Sequence, residues 1–340
     1  MKLAILILSF VTRTLIALDW EALTPIPDQE GFATPFAGVV HDRLIVAGGA
    51  NFPGLKPWVA GSKVWYDKVF ALDDPRGAWR EIGRLPRALA YGASITVDEG
   101  IVCIGGSDRD RHYREVFLLT LDGDRCIAKP LPALPAPCAN ISAALLGRTI
   151  YVAGGIEIPD AIKAMHNFWS LDLDRPDAGW QTLPPWPGRE RMLAAIGAQD
   201  GAIILVSGTA LKADADGKPE REGLRDAFRF QPGKGWSRIA DAPNVSVGAP
   251  VPMPAMGGTR LLLIGGNDGA QIKAKPEAHT GFSKRVFAYD LRDDAWVPLG
   301  EIPLGLSTTN AVRWRDQVIV PGGETKPGIR STQVWSAPLK

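Results

Sequence analysis

The chain has 340 residues, and its 38 basic and 37 acidic side chains give a net charge of +1 at pH 7. This balance argues against a nucleic-acid-binding protein, which normally carries a basic stripe or a high isoelectric point. The cysteines are too few for a disulfide framework and odd in number, so a structural role is expected for each. They are Cys103, Cys126 and Cys138.

The N-terminal segment, residues 1–19, differs in character from the rest of the chain. Lys2 precedes an apolar run over residues 3–11, which has the length of a signal-peptide core and is too short to span a bilayer. It predicts a periplasmic or secreted protein without a membrane span. Arg13 and the lack of a small-residue cleavage site leave open a cytoplasmic protein with an apolar start.

Downstream, a short apolar run that ends in a glycine pair recurs six times. The pairs, one of which is Ser-Gly, occupy positions 48–49, 105–106, 154–155, 207–208, 265–266 and 322–323. Their spacing of about 49 to 58 residues is close to the kelch-repeat period of about 50. The chain is therefore expected to contain six structural repeats.

Each repeat carries the parts of one propeller blade. A strand of small residues precedes the glycine run and an aromatic, alternating strand follows it, as in residues 69–72. In four repeats a tryptophan then opens a fourth strand, and its ring is expected to pack between blades. These tryptophans are Trp79, Trp180, Trp236 and Trp296. The pattern predicts an all-β, six-bladed kelch-type β-propeller with four antiparallel strands per blade over residues 20–340.

Two repeats depart from this pattern. In the second, residues 126–129 occupy the fourth strand without a tryptophan, and the sixth stops after a third strand at residues 333–336. Residues 20–23 can supply the missing strand from the other end of the chain. Pairing them with the last blade would close the ring and remove its exposed sheet edges.

The loops that follow the six glycine pairs, loops one to six, are expected to surround one mouth of the central channel. Function on a rigid scaffold belongs in such loops. His112, His166 and His279 lie in loops two, three and five without metal-ligand spacing, so no metal site is expected. No nucleophile elbow, P-loop or dinucleotide fingerprint is present. Cysteines placed in strands or at strand edges also disfavour a copper-radical oxidase.

Loop six carries a specific motif. Residues 323–330 read Gly-Glu-Thr-Lys-Pro-Gly-Ile-Arg and resemble the Gly-Glu-x-x-Pro-Gly-x-Arg loop of kelch-propeller N-acetylneuraminate epimerases, also called sialic acid mutarotases. Residues 48–53 and 63–66 resemble the same family. Residues 186–191 and 279–283 are similar to its cyclically permuted branch, in which the Glu loop lies near the C-terminus. The resemblance extends over about residues 20–340.

The resemblance implies an isomerase that interconverts the α and β anomers of N-acetylneuraminate or a related sugar acid. It implies that Glu324 is the proton acceptor and that Arg330 is its partner in binding the sugar acid through charge-assisted bonds. No cofactor is expected, because the reaction has no redox or group-transfer step. Further candidate substrate-binding residues are Asn51, Arg191, His279 and Lys326.

The alternative is a non-catalytic kelch propeller that binds a glycan or a protein partner through its loop face. Interaction modules often expose apolar loop tips, whereas these loops are mainly polar, which favours a small-molecule site. The sequence leaves open which sugar acid is used and the oligomeric state.

Overall fold

The computed structural model describes residues 17–339, which form six four-stranded antiparallel sheets. The sheets are the blades of a six-bladed β-propeller, so the predicted fold class is confirmed. The apolar run assigned to a signal peptide lies outside the described residues. Two short 3-10 helices, Pro57–Val59 and Pro176–Ala178, interrupt the loops. Residues 17–339 contain no helix that is both long and apolar enough to cross a membrane.

Blades are numbered in chain order, and the strands of each blade are numbered outward from the axis. From blade one to blade six, the first strands are Phe36–Val40, Ala93–Val97, Ser142–Leu146, Ala195–Gln199, Ala255–Met256 and Val312–Trp314. The second strands are Arg43–Ala47, Gly100–Ile104, Thr149–Ala153, Ala202–Val206, Arg260–Ile264 and Gln317–Pro321. The third strands are Lys68–Leu72, Val116–Asp122, Phe168–Asp172, Ala227–Gln231, Arg285–Asp290 and Val334–Pro338. The fourth strands are Arg80–Arg84, Arg125–Leu131, Gln181–Leu183, Gly235–Ile239, Ala295–Glu301 and, for blade six, Glu21–Leu23.

Blade six is completed by the N-terminal strand. Glu21–Leu23 pairs antiparallel with the third strand of this blade, with Glu21 opposite Ser336. The predicted closure of the ring is therefore confirmed. Because this edge is paired, blade six has the same four-stranded form as the other five blades.

The four repeat tryptophans join neighbouring blades, as predicted. Each indole N–H donates a hydrogen bond to a backbone carbonyl that lies just beyond the fourth strand of the preceding blade. The pairs are Trp79 with Thr24 at 2.9 Å, Trp180 with Pro132 at 2.8 Å, Trp236 with Pro184 at 2.9 Å and Trp296 with Ala240 at 3.0 Å. Each tryptophan thus satisfies its polar atom while its ring covers apolar surface.

The apolar core lies between the faces of adjacent blades. In one such layer, Ile45 and Val69 of blade one are buried in a cluster with Ile101 and Phe117 of blade two. All three cysteines are free thiols, and Cys103 is buried within this same layer. Burial raises the pKa of the Cys103 thiol, so the side chain stays neutral and packs as a small apolar group.

A ring of backbone hydrogen bonds, the mouth ring, surrounds the axis beneath the loops. Between successive blades one residue has a left-handed φ of 43° to 64°. Each of these residues donates its N–H to the carbonyl of the equivalent residue one blade back, at 2.6 to 3.3 Å, and the first donates to the last. The six are Thr34, Tyr91, Asn140, Leu193, Gly248 and Thr308. The ring fixes the loop bases relative to one another.

Three of the loops form short two-stranded ribbons above the mouth ring. Loop one pairs Ala50–Asn51 with Val64–Trp65, and loop four pairs Thr209–Ala213 with Pro219–Gly223. Loop six pairs Glu324–Lys326 with Ile329–Arg330. Side chains on these ribbons are held by backbone pairing, so their positions are better defined than those on open loops.

Candidate active site

The residue that follows each glycine pair occupies an equivalent position beside the mouth ring. Each one forms an antiparallel bridge with the residue that precedes a mouth-ring residue. The six positions hold Ala50, Ser107, Ile156, Thr209, Asn267 and Glu324. Glu324 is the one ionisable residue among them. The negative charge at this level of the mouth is therefore confined to blade six.

Local backbone geometry fixes Glu324 at this position. Gly323 has a φ of 101°, and a Cβ at this residue would lie 2.9 Å from the carbonyl oxygen of Ser307. The tight approach that only glycine permits lets Glu324 exchange two backbone hydrogen bonds with Ser307, at 2.8 and 2.9 Å. Gly323 thus allows Glu324 to lie directly beside the mouth ring.

Arg330 forms an ion pair with the Glu324 carboxylate. The two residues face each other across the loop six ribbon, and Arg330 Nη1 lies 2.5 Å from Glu324 Oε1. The contact is an ion pair without directed hydrogen-bond geometry at Nη1. The Arg330 side chain is 3% exposed, its Nε donates to the Ala50 carbonyl at 3.3 Å, and its guanidinium lies 5.0 Å from the Phe52 ring centre. Its guanidinium therefore lies buried among Glu324, the Ala50 carbonyl and Phe52.

The hydroxyl of Thr308 complements both protonation states of Glu324. Thr308 Oγ1 lies 3.1 Å from Glu324 Oε2 and 2.8 Å from the Ser307 carbonyl oxygen. It can donate its proton to the ionised carboxylate. When the carboxyl group is protonated, the same hydroxyl can accept from it while donating to Ser307. Thr308 can therefore hydrogen-bond with Glu324 in either protonation state.

Glu324 lines a cavity of about 630 Å³ that opens among the loops. Residues from all six loops and four of the mouth-ring residues contribute to the wall. The second acidic side chain in this wall, Asp108, accepts hydrogen bonds from the Tyr113 hydroxyl and from the N–H groups of Asp110 and Arg111. Burial acts to raise the pKa of Asp108, but these hydrogen bonds outweigh it and lower the pKa. Asp108 is thus held as an anion, whereas Glu324 has a hydroxyl that serves either state.

Arg191 does not line this cavity, although the sequence suggested that it faces the mouth. It is fully buried, its Nη2 donates to Asp226 Oδ2 at 2.8 Å and its Nη1 donates to the Ser207 carbonyl at 2.9 Å. The guanidinium also lies 5.4 Å from the ring centres of both Trp186 and Phe228. These contacts support a structural role between blades three and four.

Asn51 is also buried beneath the wall. Its Oδ1 accepts from the Tyr66 hydroxyl at 2.8 Å, and its Nδ2 donates to the Gly31 carbonyl at 2.9 Å and to Asp28 Oδ1 at 3.2 Å. The amide therefore has partners on both atoms within the protein. Its position ties loop one to the segment that enters blade one.

His279 and Lys326 lie behind the wall where loops five and six meet. The His279 ring packs against Phe282, and its Nδ1 accepts a hydrogen bond from the Gly281 N–H at 3.1 Å. Burial lowers the pKa of His279, and the positive charge of Lys326 lowers it further. The Phe282 N–H donates to the Thr325 carbonyl at 2.8 Å, so this cluster supports the loop six ribbon.

Thr308 and Lys63 are polar residues of the wall that sequence reasoning did not propose for the site. Alignment of the six repeats by their glycine pairs would have placed Thr308 beside Glu324, since both belong to equivalent sets. Lys63 appeared within a family-like segment, but its position in the wall depends on how the loop one ribbon folds back.

The family match covers the part of the chain that contains loops one and two. Residues 13–128 match the N-acetylneuraminate epimerase family. An N-acetylneuraminate epimerase of Brucella suis is 41% identical over 123 residues, which is 32% of this chain and 31% of the relative. One of Vibrio vulnificus is 34% identical over 122 residues, 31% of each chain. The chain thus covers less than a third of the length of these relatives.

A solved structure supports the fold over nearly the whole chain. The structure of YjhT superimposes with a TM-score of 0.66 at 16% identity, over 92% of this chain and 95% of that one. The family match confirms the resemblance that the loop motifs indicated, and it rests on the segment that contains loop one. The Glu324 loop lies outside the matched segment, and the cyclic permutation stays a prediction.

Proposed function

We propose that this protein is an isomerase that interconverts the α and β anomers of N-acetylneuraminate or a related sugar acid. One observation carries the proposal. Glu324 is the single carboxylate among six equivalent positions at the channel mouth, and it lines a cavity of about 630 Å³. The family match over residues 13–128 supports the same substrate class.

The reaction needs only one proton shuttle. Glu324 accepts the proton of the anomeric hydroxyl, the C2 carbonyl forms, and the bond between C2 and the ring oxygen breaks. The ring oxygen then receives the proton. Rotation about the C2–C3 bond exposes the other carbonyl face, and the reverse steps close the ring as the opposite anomer. A positioned acid–base group contributes about 10²- to 10⁴-fold to such a rate.

The surroundings of Glu324 suit this shuttle. The ion pair with Arg330 holds the carboxylate in a fixed orientation beside the cavity. Thr308 then stabilises the protonated form by accepting its O–H. Atoms are only rearranged within the sugar, so the proposed reaction needs neither an oxidant nor a co-substrate.

A binding module is the second candidate, and one observation favours it. Several large apolar side chains on the tips of loops one, three and five are more than half exposed. Such tips are typical of protein-interaction surfaces. They are Leu55, Val59, Ile158, Ile162 and Ile272. They lie outside the wall that contains Glu324, so this surface can coexist with a small-molecule site.

Proton NMR of freshly released α-N-acetylneuraminate tests the proposal. The wild-type protein should accelerate appearance of the β anomer, and Glu324→Gln should reduce the acceleration about 10²- to 10⁴-fold. Glu220→Gln, an exposed residue of the loop four ribbon, is the matched control and should retain full activity. Absence of acceleration by a folded wild-type protein would favour the binding module.

The proposed location is the periplasm or the exterior of the cell, on the basis of the apolar run at residues 3–11. N-terminal sequencing of protein recovered from a periplasmic extract tests this. A mature chain that starts near residue 20 is expected, whereas an intact Met1 in the cytosolic fraction would contradict it.

A further inference from the structure

Lys63 is an unusual cation in the cavity wall. Its Nζ lies 5.6 Å from the ring centre of Phe52, 5.4 Å from that of Trp65 and 4.9 Å from that of Tyr91. All four side chains line the cavity that contains Glu324. Three aromatic faces attract the ammonium and restrict its positions, which lowers the entropy lost when it binds an anion.

Lys63 has no ionic partner within residues 17–339, although its neighbours do. Lys56 pairs with Glu30 at 2.5 Å, and Lys68 pairs with Glu81 at 3.0 Å. A half-buried ammonium beside three aromatic rings has lost part of its hydration without gaining a carboxylate partner among the described residues. A site of this kind favours a small anion that enters the cavity.

Lys63 also lies close to the proposed acid–base group. The centre of the Phe52 ring lies 5.6 Å from the Lys63 ammonium and 5.0 Å from the Arg330 guanidinium. Lys63 and the Glu324–Arg330 pair therefore share one aromatic neighbour. In the proposed substrate the carboxylate and the anomeric hydroxyl are attached to the same carbon. Groups that bind them must be close neighbours in the wall.

We infer that Lys63 binds the carboxylate of the substrate while Glu324 receives its anomeric proton. The inference rests on the proposed function, and it assigns recognition of the substrate carboxylate to Lys63. It differs from the role that the family resemblance implies for Arg330, because the Arg330 side chain is only 3% exposed and does not line the cavity. Arg109 and Arg221 also line the cavity, but both are exposed, and neither has an aromatic enclosure like that of Lys63.

The two roles predict different kinetics. The substrate carboxylate stays charged throughout ring opening, so its partner stabilises the ground state and the transition state alike. Loss of that partner should raise KM and leave kcat nearly unchanged. A charge-assisted contact corresponds to about a 10- to 100-fold rise in KM.

The test compares N-acetylneuraminate with its methyl ester, which lacks the charge but retains the anomeric hydroxyl. The wild-type protein should prefer the acid by about 10- to 100-fold in kcat/KM. Lys63→Met should reduce this preference to near one, and Lys63→Arg should restore part of it. Lys234→Met, an exposed residue in the turn between the third and fourth strands of blade four, is the matched control. It should keep the full preference.

Retention of the full acid preference by a folded Lys63→Met protein would overturn the inference and leave the mutarotase standing. Calorimetric titration with both ligands separates the two proposals. The anion site is supported if the wild-type protein binds the acid more tightly than the ester and Lys63→Met abolishes this difference. This holds even if no variant accelerates mutarotation. Equal affinity of the wild-type protein for acid and ester would contradict it.

Discussion

Among residues 17–339, two buried arginines pair with carboxylates at similar distances but in different surroundings. Arg330 Nη1 is 2.5 Å from Glu324, and Arg191 Nη2 is 2.8 Å from Asp226. The carboxylate side chains are nearly equally exposed, at 17% and 18%. Glu324 lines the loop cavity, however, whereas neither member of the other pair does.

The difference shows that a buried ion pair does not identify a site by itself. Arg191 is fixed by backbone carbonyls and two aromatic rings, so its contacts join blades three and four. Glu324 has a hydroxyl partner that can donate or accept a hydrogen bond, and it lines a cavity of about 630 Å³. Substitutions in the Arg191–Asp226 pair should therefore affect stability, and substitutions in the Arg330–Glu324 pair should affect turnover.

The largest effect on stability is expected for Arg191→Met. Removal of the guanidinium leaves Asp226 without its ionic partner and leaves the Ser207 carbonyl without its donor. Breaking a buried pair in this way costs about 3–5 kcal/mol in the free energy of unfolding. Urea denaturation measures this loss. Arg189→Met, which removes an exposed pair with Glu222, should cost less than about 1 kcal/mol. Equal losses in the free energy of unfolding for the two variants would contradict a structural role for Arg191.

An intermediate effect is expected for Arg330→Lys. Lysine keeps the charge but lacks the planar fork that contacts both Glu324 and the Ala50 carbonyl. The carboxylate should lose its orientation, so kcat should fall about 10- to 100-fold with little change in KM. Steady-state mutarotation kinetics measure both parameters. A rise in KM at unchanged kcat would instead make Arg330 the substrate-carboxylate ligand.

The fold was predictable because its signals repeat. Six glycine pairs give the second strands, and the tryptophans give four of the fourth strands. The N-terminal strand was placed because blade six lacked a partner for Val334–Pro338. The Glu324 loop was also found from local sequence. Each of these features depends on residues that are adjacent in the chain or related by a fixed period.

The remaining site residues were not predictable for a physical reason. Asn51 and Arg191 are polar residues in segments that the sequence places near the channel mouth. Their side chains instead form hydrogen bonds with Gly31 and Asp226, which are distant in the chain. Burial of a loop residue depends on packing between repeats, which the repeat period does not encode. Lys63 becomes a wall residue only because Val64–Trp65 pairs back on Ala50–Asn51.

The smallest effect concerns the pH dependence of stability. Burial lowers the pKa of His112, whose Nδ1 lies 3.0 Å from the Ile156 carbonyl oxygen. The unfolded state therefore binds more protons, and stability should decline as the pH falls below about 6.5. His112→Asn should reduce this slope, while the lowered pKa of His279 accounts for a further part. Thermal melts between pH 5 and 8 test this, and an unchanged slope would contradict it. His41→Asn, at an exposed turn, is the control.

A crystal structure of the Glu324→Gln variant with N-acetylneuraminate tests the central claim most directly. We predict that the anomeric oxygen lies within hydrogen-bond distance of the residue 324 side chain, inside the loop cavity. A second cavity, of about 450 Å³, is lined by the first strands and by Met253 and Arg313. Sugar bound there instead, or bound among the loops with its anomeric carbon directed away from residue 324, would contradict the account.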